Sequence, residues 1–533
     1  MMDTDSRSGF NRASRTFHNL KPPLQLPPPN ATISAATYTL SLRRNSLWPD
    51  SVTALIDSAT GYRLSYAEFV ERVETLATNL TSILKLSKGD TALVLSPNLL
   101  QVPILCFALL SIGVIVSPQN PLATRSEITH IFHLSKPVIV FAATSVAAKI
   151  HGFPNHRLGT VLLDSPEFDS LMKIRRTSGI GALPQVSQSD VAAILYSSGT
   201  TGNMKGVMLT HRNLTAVATG FDAVRLKRKQ PAVFLYTMPF FHVYGFTFCL
   251  RAMVLSDTVV ILERFGLRGM LAAVGRFRVT HLAVVPPLVV AMSKDGVTDG
   301  YDLRSLEGIS CGGAPLGKET AKSFKSKFQG VAIVQGYGLT ESTAAIVRSM
   351  SPEEITPDGA TGKLLAGVEA RIVNPNTGEA MFPGEVGELW IRGPTIMKGY
   401  TGDPEATLAT LVEGWLRTGD LCYFDNEGFL YVVDRVAPAE LEGLLQSHPE
   451  INDAAVIPYP DEEAGQVPMA FVVRKPLSSL GEAEIIDFVA KQVAPYKKIR
   501  SVAFIDSIPK NAAGKILRKD LNKIALQKSF SRL

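Results

Sequence analysis

Cysteine is scarce in this chain, with four residues in 533. These lie far apart and lack metal-ligand spacing; they are Cys106, Cys249, Cys311 and Cys422. Scattered single cysteines argue against a disulfide framework and against a zinc site. We therefore expect reduced thiols in a non-secretory compartment.

Dense charge of one sign is also nearly missing, because the net charge of +6 is spread over the whole length. The one dense basic run, at 225–229, lacks interleaved aromatic residues. Such a run is more typical of a solvated surface than of a nucleic-acid patch. We expect no nucleic-acid partner.

We expect neither a signal peptide nor a membrane span from the apolar pattern of the sequence. Residues 1–30 have no apolar core of the signal type, and their proline clusters predict an extended arm. Leu99–Val116 carries no charge over about the length of a span. Its proline, its glycine and its β-branched end instead indicate a buried helix, a tight turn and a buried strand. We expect no transmembrane segment.

Short apolar runs alternate with helical segments in two series, the pattern of an α/β fold with doubly wound sheets. The predicted strands lie at 54–57, 62–66, 90–95, 114–116, 138–141 and 191–195 in the first series, and at 232–237, 258–262, 281–285 and 308–310 in the second, with a helix at 69–84. Beyond about Gly359, short runs with turn signals predict a small β-rich subdomain. Residues 436–519 predict a compact α+β domain in the order helix, strand, strand, helix, strand.

One strand opens into a loop of small hydroxylated residues and glycines, Ser197-Ser198-Gly199-Thr200-Thr201-Gly202, with Lys205 shortly after. Glycines let the backbone approach phosphate oxygens, and N–H groups, hydroxyls and the lysine can donate to them. The string does not fit the Walker pattern, because Lys205 is followed by Gly206. It predicts a polyphosphate cradle; the alternative is a flexible surface turn.

Two further strand ends carry candidate nucleotide contacts. Gly312-Gly313 would leave a flat slot for a purine ring, or else form a simple strand-to-helix turn. In the segment 334–341, Tyr337 could stack on a base and Thr340 could donate to a phosphate. Glu341, an acidic residue beside a phosphate site, predicts a bound Mg²⁺.

Two positions nearer the C-terminus complete the set of motifs. Asp420 lies at a predicted turn that suits it to accept from both ribose hydroxyls, and Asp434-Arg435 ends the following strand. Lys515 lies in a glycine-containing loop, Pro509-Lys510-Asn511-Ala512-Ala513-Gly514-Lys515.

These five motifs, in this order and over nearly the whole chain, resemble the adenylate-forming (acyl-activating) superfamily. Within it the chain is similar to the plant 4-coumarate–coenzyme A ligase-like enzymes. The resemblance implies a large N-terminal adenylation domain at 1–434, a small mobile C-terminal lid domain at 435–533, and an active site between them.

The resemblance also implies an acid–thiol ligase reaction that uses ATP, Mg²⁺ and coenzyme A. A carboxylate attacks the α-phosphorus of ATP to give an acyl-adenylate and pyrophosphate, and the coenzyme A thiol then displaces AMP. The residues implied for the nucleotide are Ser197, Ser198, Gly199, Thr200, Thr201 and Lys205 for the β,γ-phosphates, Thr340 for the α-phosphate, Gly313, Gln335, Gly336 and Tyr337 for adenine, Asp420 and Arg435 for ribose, Lys515 for the carboxylate and α-phosphate, and Glu341 for the metal.

The same resemblance assigns residues to the acid and to coenzyme A. His242 matches a histidine between the acyl pocket and the nucleotide, although a lone histidine in an aromatic run is otherwise more often a core residue. Tyr244 and Phe248 match the acyl pocket, and Arg264 matches a position that meets coenzyme A phosphate. Lys515, Thr340 and His242 are the catalytic candidates.

The chain departs from the family directly after Arg435, where about ten family residues are absent. In the family that segment carries the hinge lysine, a strand and part of the pantetheine tunnel. Its loss shortens the reach between domains by up to ~30 Å of extended chain. We expect ATP binding to persist and thioester synthesis to be impaired. The alternatives to a full ligase are an adenylation-only enzyme and a catalytically silent binding protein.

Two further features bear on substrate and location. Ala344-Ala345 stand where hydroxycinnamate ligases usually have Pro-Val, so the acyl pocket should be larger at this point. Phe248 stands in place of a small residue and should reduce the pocket again. Hydroxycinnamates, fatty acids and oxylipin precursors all stay open as substrates. The ending Ser531-Arg532-Leu533 resembles a peroxisomal address that an import receptor reads, with a cytoplasmic location as the alternative.

Overall fold

The computed structural model of the chain describes residues 3–43, 46–153, 157–174, 183–197, 204–225, 228–313, 316, 318–349, 356–357, 359–375, 377–435, 439–461, 465–493, 498–509, 516 and 520–525.

The described strands, in chain order, are β1 (Phe10–Asn11), β2 (Thr16–His18), β3 (Thr53–Asp57), β4 (Arg63–Ser65), β5 (Thr91–Leu95), β6 (Ile115–Gln119), β7 (Ile139–Ala142), β8 (Thr160–Leu162), β9 (Val191–Ser197), β10 (Lys205–Thr210), β11 (Val233–Tyr236), β12 (Thr258–Ile261), β13 (His281–Val284), β14 (Gly308–Cys311), β15 (Ala332–Gly338), β16 (Ala345–Arg348), β17 (Lys363–Leu364), β18 (Glu369–Val373), β19 (Gly387–Arg392), β20 (Gly399–Tyr400), β21 (Leu411–Val412), β22 (Trp415–Phe424), β23 (Leu430–Arg435), β24 (Ile451–Asp461), β25 (Gly465–Arg474) and β26 (Ser501–Phe504).

The described α-helices are α1 (Ala35–Arg43), α2 (Tyr66–Ser82), α3 (Gln101–Ser111), α4 (Arg125–Ser135), α5 (Pro166–Lys173), α6 (His211–Ala223), α7 (Val243–Leu255), α8 (Leu267–Phe277), α9 (Pro286–Ser293), α10 (Lys318–Lys327), α11 (Pro404–Thr410), α12 (Ala439–Gln446) and α13 (Glu482–Ala490). Short 3₁₀ helices cover Thr144–Ile150 and Thr340–Ser342.

Two large sheets confirm the predicted doubly wound α/β fold. The first has the order β17-β16-β15-β14-β13-β11-β12-β3-β4, and its six strands from β15 to β3 form five parallel pairs. The second has the order β20-β10-β9-β6-β5-β7-β8, and β9, β6, β5, β7 and β8 run parallel. Strands covered on both faces are expected to be continuously apolar, and all five residues of β5 are buried.

Helix α2 shows how local sequence sets an element that the periodicity predicts. Its N-cap, Ser65, accepts from the backbone N–H of Glu68 at 3.2 Å, and the Glu68 carboxylate accepts from the N–H of Ser65 at 2.8 Å. This reciprocal capping box satisfies two N–H groups that the first helical turn leaves unpaired. The apolar spacing that follows buries Phe69, Val73 and Leu80.

The uncharged stretch at 99–116 forms the predicted buried helix, turn and strand. Helix α3 is buried on nearly all sides, Gly113 turns the chain with φ of +72°, and β6 follows. No described helix combines the length and the apolar character needed to cross a bilayer.

The prediction of an extended N-terminal arm is wrong for its first half. β1 and β2 form a hairpin, and β2 pairs with β18 in a third sheet of the order β1-β2-β18-β19-β22-β21, with β23 beside β22. Phe10 and Phe17 are buried, and Phe17 stacks on Phe424 at 4.3 Å. The β-rich subdomain predicted beyond Gly359 is therefore completed by the start of the chain.

The chain divides into two compact units. The larger unit comprises Met1–Pro121, Ile131–Tyr196 and Gly206–Asp434, and the smaller unit comprises Leu122–His130, Ser197–Lys205 and Arg435–Leu533. The C-terminal part of the smaller unit has the predicted order α12, β24, β25, α13, β26, with a three-stranded sheet β24-β25-β26. Its apolar residues form cores on both faces of that sheet.

Candidate active site

The larger unit contains a cavity of about 270 Å³ near the carboxyl ends of β14 and β15. In open α/β sheets this edge is where ligands bind. The cavity is lined by residues of α6, α7, β14, β15 and β16, and by Lys21–Leu24 from the N-terminal segment. Of the predicted site residues, it brings together His242, Tyr244, Phe248, Gly313, Gln335 and Gly336.

The turn after β14 forms one wall of this cavity. Gly313 has φ of +85°, a left-handed conformation that favours glycine. A Cβ at Gly312 would lie 3.6 Å from the carbonyl oxygen of Gly336 and 3.8 Å from the ring of Tyr244. The two glycines therefore keep a narrow space open between neighbouring strands and the tyrosine ring, as the flat-slot prediction requires.

Helix α7 begins with the predicted acid-binding residues. The side chain of His242 caps the helix, because its Nδ1 accepts from the backbone N–H of Tyr244 at 3.2 Å. Since Nδ1 accepts, the proton of the neutral imidazole is on Nε2. The Tyr244 hydroxyl donates to the carbonyl of Ser310 at 2.7 Å, and its ring meets Phe248 edge-on at 4.7 Å. Burial raises the pKa of Tyr244, so it stays protonated.

The approach to α7 depends on one glycine. A Cβ at Gly245 would lie 2.1 Å from the carbonyl oxygen of Pro239, and real Cβ atoms do not come so close. The helix start is thereby packed against the loop that holds His242. Any side chain at this position would move the histidine.

Strand β15 divides its predicted residues between two environments. Gln335 and Gly336 line the cavity, whereas Tyr337 is only 9% exposed and donates its hydroxyl to Asp420 Oδ2 at 2.5 Å. Burial, followed by the nearby Asp420 carboxylate, raises the pKa of Tyr337, which keeps it a donor. The two residues predicted for adenine and ribose are thus brought together across 83 positions of sequence.

Thr340 and Glu341 lie in the 3₁₀ turn that follows β15. The Tyr400 hydroxyl donates to Glu341 Oε1 at 3.0 Å, and the N–H of Met397 donates to the Glu341 carbonyl at 2.8 Å. Tyr400 belongs to β20, whose partner strand is β10. Glu341 is therefore tied to the strand that directly follows the glycine-rich loop.

Glu341 is the carboxylate on which the fit of a magnesium ion depends. No group of three or more His, Cys, Asp and Glu residues that could hold a metal occurs within the described ranges. Mg²⁺ commonly takes one or two carboxylates and completes its shell with substrate phosphates and water. Glu341 therefore fits an ion that arrives with a nucleotide, not one held by the protein alone.

The glycine-rich loop is described only at its two ends. Ser197 ends β9 and Lys205 begins β10, and both are half-buried. Ser198, Gly199, Thr200 and Thr201 lie outside the described residues. A Cβ at Gly206 would lie 2.5 Å from Thr401 Cγ2, so this glycine serves close packing against the residue after β20.

Three other predicted residues differ in how much of them the structure describes. Arg264 is exposed after β12. Arg435 ends β23, but its side chain lies outside the described part of the chain. Lys515 is outside the described residues altogether, so its predicted role is untested.

Sequence reasoning missed several parts of the cavity wall, of which three are instructive. Lys21–Leu24 had been taken only as part of an extended arm, and no local signal links them to a site 200 residues away. The α6 face has a readable signal, because Ala216, Val217, Gly220, Phe221 and Val224 follow helical spacing. Arg348, a charged residue ending the apolar strand β16, was also readable but was overlooked.

Comparison with known families gives two matches. The family described as AMP-binding enzyme matches residues 43–401, and the AMP-binding enzyme C-terminal domain matches 440–515.

Curated relatives are similar along their whole length. The 4-coumarate–CoA ligase-like 9 protein of Arabidopsis thaliana is 50% identical, and the alignment covers 99% of this chain and 98% of the relative. The peroxisomal OPC-8:0-CoA ligase 1 of the same plant is 45% identical, with coverage of 99% and 100%. Similar proteins occur in rice, Oryza sativa subsp. japonica, at 48% identity.

Solved structures of similar fold come from bacteria. The amide bond synthetase of Marinactinospora thermotolerans has a TM-score of 0.78 at 26% identity, covering 92% of this chain and 99% of that one. The o-succinylbenzoate CoA synthetase of Bacillus subtilis has a TM-score of 0.74 at 28% identity, covering 91% and 98%. Taken with the family matches, these likenesses show that the chain belongs to the AMP-binding, adenylate-forming enzyme family, among the plant 4-coumarate–CoA ligase-like proteins.

Proposed function

We propose that this chain activates a carboxylic acid as its acyl-adenylate and transfers the acyl group to coenzyme A. One observation carries the proposal: residues predicted for the acid and residues predicted for adenine line the same cavity of the larger unit. The family membership and the CoA ligase names of its relatives support it.

The reaction has two displacements. A carboxylate oxygen bonds to the α-phosphorus of ATP, the bond from that phosphorus to the bridging oxygen breaks, and pyrophosphate leaves. The coenzyme A sulfur then bonds to the acyl carbon, the carbon–oxygen bond to AMP breaks, and the thiol proton passes to solvent. Because charge builds on phosphate oxygens in the first displacement, positioned donors are the main catalytic need.

The proposed donors to the phosphates come from the glycine-rich loop, from the turn after β15 and from the C-terminal loop that contains Lys515. Ser197 to Thr201 and Lys205 would bind the β,γ-phosphates, and Thr340 and Lys515 would donate to the α-phosphate. His242, with its proton on Nε2, would lie between the acid and the nucleotide. Glu341 would hold a magnesium ion that arrives with the nucleotide, and the ion would neutralise phosphate charge.

The nucleoside would be held by a pair of buried contacts. Asp420 would accept from the ribose hydroxyls, with Arg435 beside it, and Tyr337 fixes the Asp420 carboxylate through its 2.5 Å hydrogen bond. Gly313, Gln335 and Gly336 border the cavity where adenine would lie. Arg264, exposed after β12, would meet a coenzyme A phosphate.

For the acid itself, we propose the fatty or oxylipin class over 4-coumarate. The cavity wall carries Ala344 and Ala345, whose small side chains leave room for a longer acyl body. The 45%-identical relative is named as a peroxisomal OPC-8:0-CoA ligase. That name and the C-terminal tripeptide also support a peroxisomal location, which imaging of a fluorescent fusion with and without the tripeptide would test.

The decisive experiment measures acid-dependent AMP and pyrophosphate formation with a panel of hydroxycinnamic, fatty and oxo-fatty acids. We expect turnover with fatty-type acids, and we expect Lys515→Ala to abolish it while ATP binding persists. Lys523→Ala, an exposed lysine paired with Asp520, is the matched control and should retain activity. No acid-dependent pyrophosphate release with any member of the panel would contradict the proposal.

A second candidate is an enzyme that forms the adenylate without efficient thioester synthesis. The alignment to the 50%-identical relative spans 556 positions, more than the 533 residues of this chain, so that relative carries residues absent here. The likeness to an amide bond synthetase shows that the fold also occurs in a protein named for another product.

Parallel assays separate the two candidates. Pyrophosphate exchange with little thioester product would favour the second, and a variant with the relative's residues inserted after Arg435 should then gain thioester synthesis. If the natural chain gave equal rates of pyrophosphate exchange and thioester synthesis, the second candidate would be excluded.

A further inference from the structure

Arg348 is a cation in the wall of the cavity, and it has no partner among the residues that the structure describes. It ends β16 opposite Gly336 and lines the cavity. Its Nε atom is buried and has no hydrogen-bond partner in the described part of the chain. The guanidinium makes no hydrogen bond or ion pair with any residue that the structure describes.

Two arginines of this region are already neutralised, whereas Lys21 is a second cation in the cavity wall. Arg251 forms an ion pair with the buried Asp257, and its guanidinium stacks on Phe234 at 4.1 Å. Arg228 forms an ion pair with Glu307 at 2.5 Å. Arg348 therefore adds a positive charge that this part of the structure does not balance.

The charge persists at neutral pH. Burial, followed by repulsion from Arg251, lowers the pKa of Arg348 to about 10. That value is still well above neutrality, so the guanidinium stays protonated. Ala344, Ala345 and Phe248 give part of the cavity wall a carbon surface, and no described residue of that wall pairs with the Nε atom of Arg348.

A half-buried cation with a buried, unpaired Nε–H favours a ligand that can accept its hydrogen bonds. A plain hydrocarbon chain that filled the cavity would displace water and leave Arg348 unpaired. A carbonyl or carboxylate oxygen on the acyl body would pair with it, and guanidinium geometry suits a carboxylate in particular.

We infer that Arg348 selects acids that carry a second oxygen acceptor, a keto or carboxylate group, away from the carboxylate that is activated. The inference rests on the proposed function, and it names the substrate feature that the cavity reads. Arg348 acts here as a specificity-determining residue for the acyl body.

The test compares acids of equal length in binding and in turnover. For each chain length from six to twelve carbons, the probes are the plain monocarboxylic acid, the matched dicarboxylic acid and the matched oxo acid with its ketone next to the terminal methyl. Dissociation constants come from calorimetry on the full chain, and kcat/KM comes from pyrophosphate release. At the best length we expect an oxygenated acid to be preferred by about 10- to 100-fold, the range of a charged hydrogen bond.

Variants assign that preference to the guanidinium. Arg348→Met keeps the length and should remove the preference, mainly by weakening the oxygenated acid. Arg348→Lys should restore part of it, more for the dicarboxylic acid than for the oxo acid. Arg268→Met, an exposed arginine on α8, is the control and should change neither.

Each outcome bears on a defined claim. A wild-type ratio near one, or a ratio unchanged in Arg348→Met, would overturn the inference and leave the proposed function intact. Equal loss of all acids, or loss of ATP affinity, would assign Arg348 to the reacting carboxylate or the nucleotide and would also overturn it. Failure of every acid to bind would overturn both the inference and the proposed function.

Discussion

Single contacts between distant residues decide much of the candidate site. The hydroxyl of Tyr337 meets Asp420, and a backbone carbonyl excludes any side chain at Gly245. Sequence motifs indicated that these residues matter, but not why. A tyrosine beside a predicted adenine site suggested stacking, whereas the structure uses its hydroxyl to hold a carboxylate.

Tyr337→Phe should weaken ATP binding. The change leaves Asp420, which is 2% exposed, without its phenol donor, and such a loss costs about 1–3 kcal/mol. We expect the dissociation constant for ATP, measured by calorimetry, to rise about 5- to 100-fold, with a smaller change for the acid. Tyr423→Phe, on the strand β22 that also carries Asp420, is the control; an unchanged ATP affinity in Tyr337→Phe would contradict the role given to this hydrogen bond.

Gly245→Ala should damage the acid site. The added methyl would lie 2.1 Å from the Pro239 carbonyl oxygen, and relief of such a clash costs about 1–3 kcal/mol and shifts the start of α7. We expect a lower melting temperature and a higher KM for the acid. Gly269→Ala, at an exposed position of α8, meets nothing within 4 Å and should be neutral or stabilise by about 1 kcal/mol; similar behaviour of the two variants would refute the close-approach argument.

At the level of elements, most of the ten strands predicted with bounds lie within a residue or two of described strands. The runs at 232–237, 258–262 and 281–285 became β11, β12 and β13, because buried parallel strands must be continuously apolar. The N-terminal hairpin was not foreseen. β1 and β2 are two and three residues long, and their partner β18 lies 350 residues later, so no local pattern marks the pairing.

Phe17→Ala tests whether the N-terminal hairpin stabilises the larger unit. Phe17 is fully buried and stacks on Phe424, so its truncation should cost about 3–5 kcal/mol. We expect a clear fall in the denaturant midpoint of the larger unit. Phe382→Ala, whose ring is 45% exposed, should cost much less; equal midpoints for wild type and Phe17→Ala would mean that the hairpin contributes little.

At the scale of the whole molecule, the chain forms two compact units with separate cores. The alternation of helical and apolar segments in the sequence was enough to predict the kinds of secondary structure in each unit. The connection between them was read as shortened after Arg435, and residues 436–438 lie outside the described ones, so the missing hinge stays a prediction. Its consequences depend on interactions between distant segments, which local sequence patterns do not encode.

The larger unit should lose stability in mild acid. Burial lowers the pKa of His211 to about 4 and that of His281 to about 3, while an unfolded histidine titrates near 6.5. Between these values the unfolded state binds protons that the folded state does not, so stability falls as pH drops from about 6.5 towards 4. Urea unfolding across that range should show the slope.

The contribution of His211 can be separated by substitution. Its Nδ1 accepts from the N–H of Ala35 at 3.0 Å, a contact that an asparagine oxygen can replace without titrating. His211→Asn should flatten the acid slope, whereas His133→Asn, at an exposed position on α4, should not. A slope that is the same in all three proteins would contradict this assignment.

The segment Lys21–Leu24 borders the cavity, yet the AMP-binding enzyme match begins only at residue 43. Part of the surface that an acid would touch therefore comes from outside the region by which the family is recognised. A change in this short proline-rich stretch would therefore alter the cavity wall and leave the candidate phosphate-binding residues as they are. Tags or truncations at that end should accordingly be expected to alter which acids are accepted before they alter whether any reaction occurs.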